Sequence, residues 1–151
     1  MLIREIQYGS KEWHETLQLR ERVLRRPLGL TLLQEELESQ KLCIHFAAYD
    51  SQHDALLGTL LLARVNDQTV QMRQVAVDPD HQRNGIGRKL VTHAEQHAQQ
   101  HGFYEMLLHA RETAVPFYER LGYRTFGEPF DEQTIPHIAM VKQLLSAAET
   151  S

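Results

Sequence analysis

The chain has 151 residues, 42% of them hydrophobic and 24% charged, with a formal net charge of −4. These values fit one globular domain over residues 1–151 and exclude a disordered, collagen-like or coiled-coil chain, and the mild acidity gives no reason to expect nucleic acid or an anionic membrane as partner. A single cysteine, Cys43, excludes an internal disulfide framework and a cysteine-clustered zinc site. Charges within Met1–Ile6 interrupt the apolar stretch a signal peptide needs, and the longest apolar run, Ala55 to Ala63, is far short of a membrane span, so a cytoplasmic protein is expected.

In chain order, Leu2–Gln7 reads as a strand, and Gly9–Ser10 as a turn and cap before a helix carrying Trp13, Leu17 and Leu24. Arg25-Arg26-Pro27-Leu28-Gly29 ends that helix, and a second short one is expected over Leu32–Gln40. Three strand signals follow, Leu42–Tyr49, Leu56–Val65 and Thr69–Val77, separated by turn-like Ser51–Asp54 and Asn66–Asp67, which together predict an antiparallel meander. After Pro79 the pattern turns helical, with Ile86, Leu90, Ala94 and Ala98 four apart until His101-Gly102. Met106–His109 reads as a short strand, Thr113–Leu121 as a short helix with Pro116 in its first turn, Ile138–Val141 as a late strand, and Ala147–Ser151 as a frayed tail. Strand, helix and strand around Gly102 predict a parallel pair grafted onto an antiparallel sheet, a mixed α/β class.

The stretch Val75-Ala-Val-Asp-Pro-Asp-His-Gln-Arg-Asn-Gly-Ile-Gly-Arg88 carries the most chemistry. An apolar strand running through a turn into a glycine-bearing helix start aims unpaired backbone N–H groups and the positive end of the helix dipole at one small region, an arrangement suited to a phosphate. Gly85 and Gly87 allow close backbone approach, and Arg83 and Arg88 can add charge-assisted hydrogen bonds. A Walker loop needs Gly-Lys followed by Ser or Thr, whereas Gly87 precedes Arg88-Lys89-Leu90; a dinucleotide fingerprint needs a third glycine where Leu90 stands.

Gln82-Arg-Asn-Gly85-Ile-Gly87 instead resembles the acetyl-CoA loop of the GCN5-related N-acetyltransferase (GNAT) family. Downstream, Ala114-Val-Pro-Phe-Tyr118-Glu-Arg-Leu-Gly122-Tyr123 is similar to that family's next helix and strand start, and Gly127-Glu-Pro-Phe with Ile135–Met140 is similar to the ending of its small bacterial members. The resemblance implies a mostly antiparallel mixed sheet with a central splayed parallel pair, flanked by helices. It implies acetyl-CoA as cosubstrate, with no metal, and acetyl transfer to a primary amine by direct attack in a ternary complex. Val75 and Val77 would present backbone groups to the pantetheine arm, and the N–H groups from Arg83 through Asn84, Gly85, Ile86, Gly87 and Arg88, with Gln82, would hold the pyrophosphate. Tyr118 matches the tyrosine that donates a proton to the departing thiolate, a task suited to a phenol with an ordinary pKa of about 10.

Two positions depart from the family pattern. Arg111 stands where many members carry a cofactor-contacting Asn, and Gln71–Val77 contains no acid where many carry a general base. His109 and His137 are the candidates for that base, with Glu112 and Glu128 behind them. His93, His97 and His101, four apart, read as a polar helix stripe rather than a metal row; Trp13 and Leu17 as core; Cys43, alternating with Leu42 and Ile44, as packed in a strand. Arg25 and Arg26 read as solvated surface charge, against the alternative of an acceptor wall favouring a carboxylate or phosphate. The acceptor is expected to be a small-molecule or peptide amine, and dimers are a common outcome for a small enzyme. The contrasting class is a non-catalytic acyl-CoA-binding sensor or interaction module, which keeps the loop and needs neither Tyr118 nor a base.

Overall fold

The computed structural model describes residues 1–52 and 54–144, Arg83 by its backbone. His53 of the expected Ser51–Asp54 turn and the expected frayed tail lie outside the described residues. Seven strands hydrogen-bond in the order β1-β2-β3-β4-β5-β7-β6: β1 (Leu2–Ile6), β2 (Ile44–Tyr49), β3 (Leu56–Arg64), β4 (Thr69–Val77), β5 (Glu105–Arg111), β6 (Arg124–Glu132) and β7 (Ile135–Gln143). The helices are α1 (Lys11–Arg20), α2 (Gln34–Glu38), α3 (Ile86–Gln100) and α4 (Val115–Arg120). Pairing is antiparallel for β1–β2, β2–β3, β5–β7 and β6–β7, and parallel for β4–β5, so the mixed α/β class with a parallel pair is the observed one.

The chain divides into two compact units, one of Met1–Ala63 with Arg73–Ala94, the other of Arg64–Met72 with the chain from Glu95. In the first, Ser10 caps α1 by accepting from the Trp13 amide at 3.1 Å, and a π turn (Glu21–Arg25) and a 3-10 turn (Arg26–Leu28) carry the chain to Gly29, whose φ of +70° stops the helix. Trp13 packs in a core with Ile6, Leu37, Ala47 and Tyr49, and Leu17 lies against it. Leu42 is 94% exposed and Cys43 half-buried, both ahead of β2; the strand starts at Ile44, and continuous burial begins at His45. Burial raises the Cys43 thiol pKa, which keeps it protonated and inert.

Arg25 corrects the expectation of surface charge. It is 4% exposed and its guanidinium donates to Glu36 of α2 at 2.7 Å, while Arg26 is exposed. Arg20, 1% exposed, donates to Gln40 at 2.9 Å, and burial lowers its pKa to about 10.

In the second unit, Met106, Leu108 and Ala110 of β5 and Met140 of β7 are buried. β6 starts at Arg124, just after the strand start that the resemblance implies at Gly122-Tyr123, and its run to Glu132 is not foreseen. It is an edge strand, largely exposed, and it carries Gly127 and Pro129 where its pairing with β7 slips. From Phe126↔Ala139 to Phe130↔His137 it takes four steps against two on β7, so two extra residues bulge out and side-chain alternation is preserved across the bulge. Gln133 and Thr134, at φ of 53° and 67°, close the β6–β7 hairpin.

Candidate active site

The phosphate-type loop belongs to the first unit. β4 pairs with β5 only from Thr69 to Met72, so Val75 and Val77 lie beyond that ladder, after Gln74, whose φ is +56° and whose side-chain oxygen is buried without a hydrogen bond. A non-glycine residue held left-handed inside a strand marks a local departure from regular pairing. Gln82 is exposed and its amide donates to the Val77 carbonyl at 3.2 Å, which commits that oxygen to the loop itself. Asp78 fastens the turn, accepting from the Asp80 amide at 2.9 Å and from Arg22 at 3.1 Å.

Pro79–Asn84 form a 3-10 turn that Gly85, at φ of +73°, converts into α3. The first intrahelical bond runs from the Lys89 amide to the Gly85 carbonyl at 3.1 Å. The amides of Ile86, Gly87 and Arg88 therefore have no acceptor within the helix, at the positive end of its dipole. Ile86 is 3% exposed, Leu90 fully buried and Arg88 exposed. This burial pattern locks the apolar stripe of α3 inward and leaves the arginine at the surface. Asn84 is exposed, and the side chain of Arg83 lies outside the description. Gly58 on β3 is what lets α3 sit so close: an added Cβ there would meet Leu90 Cδ1 at 2.7 Å.

The second unit holds the other expected residues. Tyr118, on α4 behind Pro116, is 8% exposed and makes edge contacts with Phe117 and Tyr123 at ring separations of 4.9 and 5.8 Å. Burial pushes its pKa up to about 12, so the oxygen carries its hydrogen at neutral pH. Tyr123 donates to Glu95 at 2.8 Å, and Lys142 meets the same carboxylate at 3.0 Å. Gly122 has a φ of +97°, which favours glycine, and Lys142 Cε lies 3.3 Å from where a Cβ would stand, so a side chain there would press on the lysine that meets Glu95.

His109 and His137 come together on one carboxylate that the sequence reading missed. Glu132 Oε1 lies 3.0 Å from His109 Nδ1 and Oε2 lies 3.7 Å from His137 Nε2, while the Phe130 ring sits 5.0 Å from His109 and 6.1 Å from His137. Strand register explains the meeting. Arg111↔His137 and His109↔Ala139 across β5–β7, with Phe130↔His137 across β6–β7, put these side chains on the face opposite Met106, Leu108 and Ala110. Glu112 and Glu128, expected behind the histidines, are both exposed, and Arg111 is half-buried at the end of β5. The Glu132↔Ile135 hairpin pair fixes the β6–β7 register as far as Phe130↔His137.

The helix histidines do other work: His93 meets the Phe46 ring at 5.2 Å and His101 donates to the His97 carbonyl at 2.8 Å. Among the described residues no group of three or more His, Cys, Asp and Glu is placed to hold a metal ion, and no helix is long and apolar enough to cross a membrane.

Comparison with known proteins gives this architecture its class. A Bacillus subtilis (strain 168) protein named as an acetyltransferase is 29% identical over 138 residues, covering 89% of this chain and 92% of its own length. The crystal structure of a Lactobacillus plantarum protein classed as an N-acetyltransferase has a TM-score of 0.82 at 31% identity, covering 96% of this chain and all of that one. A GNAT family acetyltransferase from Elizabethkingia anophelis, with acetyl-CoA bound, shares the fold with a TM-score of 0.73 at 16% identity, over 94% of this chain and 97% of its own. The protein is an acyltransferase of the acetyl-transferring class. The sequence model of the acetyltransferase (GNAT) domain matches residues 25–144, and the chain belongs to that family.

Proposed function

We propose that residues 1–151 act as one N-acetyltransferase domain that moves the acetyl group of acetyl-CoA to a primary amine, small molecule or peptide, by direct attack in a ternary complex. The observation that carries this reading is the start of α3. In a GNAT chain, the amides of Ile86, Gly87 and Arg88, which precede the α3 hydrogen-bond ladder behind a left-handed Gly85, suit a pyrophosphate, and the Elizabethkingia relative holds acetyl-CoA. The thioester supplies the activated acyl group. Gln82, Arg83 and Asn84 line the approach to the same helix start, and backbone groups at Val75 and Val77 serve the pantetheine arm and the charge that develops on the thioester oxygen.

As the amine nitrogen bonds to the acyl carbon, the carbon–sulfur bond breaks. Tyr118, neutral in its buried setting, gives the sulfur a proton, and His109 or His137 takes the proton the nitrogen sheds. The test is CoA release from acetyl-CoA with spermidine, kanamycin, Nα-acetyl-lysine amide and a tripeptide with a free N-terminus. Release with at least one amine, falling 10²-fold or more in Tyr118→Phe while CoA affinity holds, is the expected result. Gly87→Glu should weaken CoA binding, since a carboxylate then faces the phosphates. No release with any amine, or a fully active Tyr118→Phe, overturns the corresponding part of the reading.

A further inference from the structure

Proton bookkeeping separates the two histidines. A carboxylate can only accept, so the 3.0 Å contact between Glu132 Oε1 and His109 Nδ1 requires the hydrogen on Nδ1. A neutral His109 therefore carries its lone pair on Nε2, at the opposite edge of a ring whose side chain is 33% exposed. His137 is arranged the other way. Its Nδ1 donates to the Ile135 carbonyl at 2.9 Å, its Nε2 is turned toward Glu132 at 3.7 Å, and its side chain is only 6% exposed. Both of its nitrogens are thus directed at groups of its own hairpin. The Phe130 ring, against both imidazoles, limits the orientations either can take.

Resting on the acetyl-transfer reading above, we propose that His109 is the general base and that Glu132 is its positioning residue, fixing the tautomer that leaves Nε2 free to take the proton from the acceptor amine. When the nitrogen–carbon bond forms, that proton passes to Nε2, the imidazole becomes an imidazolium, and the Glu132 carboxylate stabilises it through Nδ1–H; the proton then leaves to water. The arrangement is a carboxylate–imidazole pair in which the acid orients and the histidine reacts. It supplies the carboxylate that Gln71–Val77 of β4 lacks.

Two readouts test this. Imidazole nitrogen NMR of uniformly 15N-labelled protein at pH 8 should show His109 as the Nδ1–H tautomer, and Glu132→Gln should shift it toward Nε2–H; Asp131→Asn, one position away on β6, should leave it unchanged. With acetyl-CoA and whichever of the four amines above reacts fastest, Glu132→Gln should lower kcat 10- to 100-fold with KM for the amine within about twofold. His109→Gln should cost at least as much, and His137→Gln less. An Nε2–H tautomer in the wild type, or unchanged kcat in Glu132→Gln with a reactive wild type, overturns the proposal and leaves the acetyl-transfer reading standing. A wild type silent toward every amine overturns both, because His109 then has no proton to take.

Discussion

Replacing Gly58 by alanine tests how tightly the helix that starts the loop is seated on its strand. The added Cβ would lie 2.7 Å from Leu90 Cδ1 and 3.2 Å from both the Ala76 carbonyl oxygen and Ile86 Cγ2. Ordinary carbon contacts sit at about 3.5–4.0 Å, so roughly 1 Å must be found. Leu90 has no exposed surface into which to swing, and Ala76 contributes backbone. Overpacking of this kind costs about 1–3 kcal/mol, offset by about 0.4–1 kcal/mol from stiffening the unfolded chain, for a net loss of about 1–2 kcal/mol. At this chain length that lowers Tm by about 2–8 °C. Because Ile86 is among the displaced residues, the amides behind Gly85 move too, and a loss of about 1 kcal/mol in CoA binding is a roughly fivefold rise in Kd. Calorimetric melting of Gly58→Ala, Leu90→Ala and the double variant measures the coupling directly. Leu90→Ala alone should cost about 2–5 kcal/mol, and the double variant should cost less than the sum by 1 kcal/mol or more, since the clashing carbon is gone. An unchanged Tm in Gly58→Ala, or strictly additive costs, would refute the packing argument.

Three further outcomes follow from the same geometry. Glu36→Ala strands the buried Arg25 guanidinium and should destabilise by about 3 kcal/mol in urea unfolding, the low end for a broken buried pair because the Glu36 side chain is 23% exposed; Arg25→Met with Glu36→Leu should restore most of it. Thr134→Gly relieves a β-branched residue at φ of 67° and should raise stability by about 1 kcal/mol, read as a higher urea midpoint. Burial lowers the pKa of His45 below its ordinary 6.5, so as pH falls through 6.5 the unfolded chain takes a proton that the native one refuses. Stability then drops with a slope of at most about 1.4 kcal/mol per pH unit, and His45→Gln should lack this component when unfolding is followed from pH 7.5 downward.

Elements whose signal is local and contiguous were readable from the sequence. The α3 stripe of Ile86, Leu90, Ala94 and Ala98 is buried as its spacing predicts, and Ser10 caps α1 through a contact only three residues long. What failed depended on distant partners. Arg25 looked like surface charge because its neutralising carboxylate, Glu36, sits on another helix eleven residues on, and nothing in Arg-Arg-Pro announces it. Leu42 read as strand from its apolar side chain, yet it is almost fully exposed, a placement hydropathy does not foresee. Beyond its start, β6 carries little local signal because an edge strand needs no apolar alternation, and because its hairpin turns through Gln133-Thr134 at positions where Asn-Gly is the usual signal.

The same physics divides the active-site residues. The loop from Gln82 to Arg88 announces itself because its glycines, its helix start and its charges are neighbours in the chain. Glu132 becomes visible only when two strand pairings are known at once. The hairpin pair Glu132↔Ile135 sets Phe130↔His137, and β5–β7 pairing sets His109↔Ala139; a one-residue slip in either would turn one partner to the opposite face. The two-residue bulge between Phe126 and Phe130 matters for the same reason, since an odd insertion would have turned Arg124 and Thr125 over relative to Glu132, whereas an even one keeps the strand in phase. Gln133→Asn combined with Thr134→Gly, which strengthens the hairpin without touching its register, should therefore preserve the Nδ1–H tautomer of His109. Insertion of one glycine between Glu128 and Pro129 should turn Arg124 and Thr125 to the wrong face while the hairpin pair Glu132↔Ile135 holds Phe130 and Glu132 in place, so the Nδ1–H tautomer of His109 should survive; its loss in nitrogen NMR would show that the register is set from the Arg124 end instead.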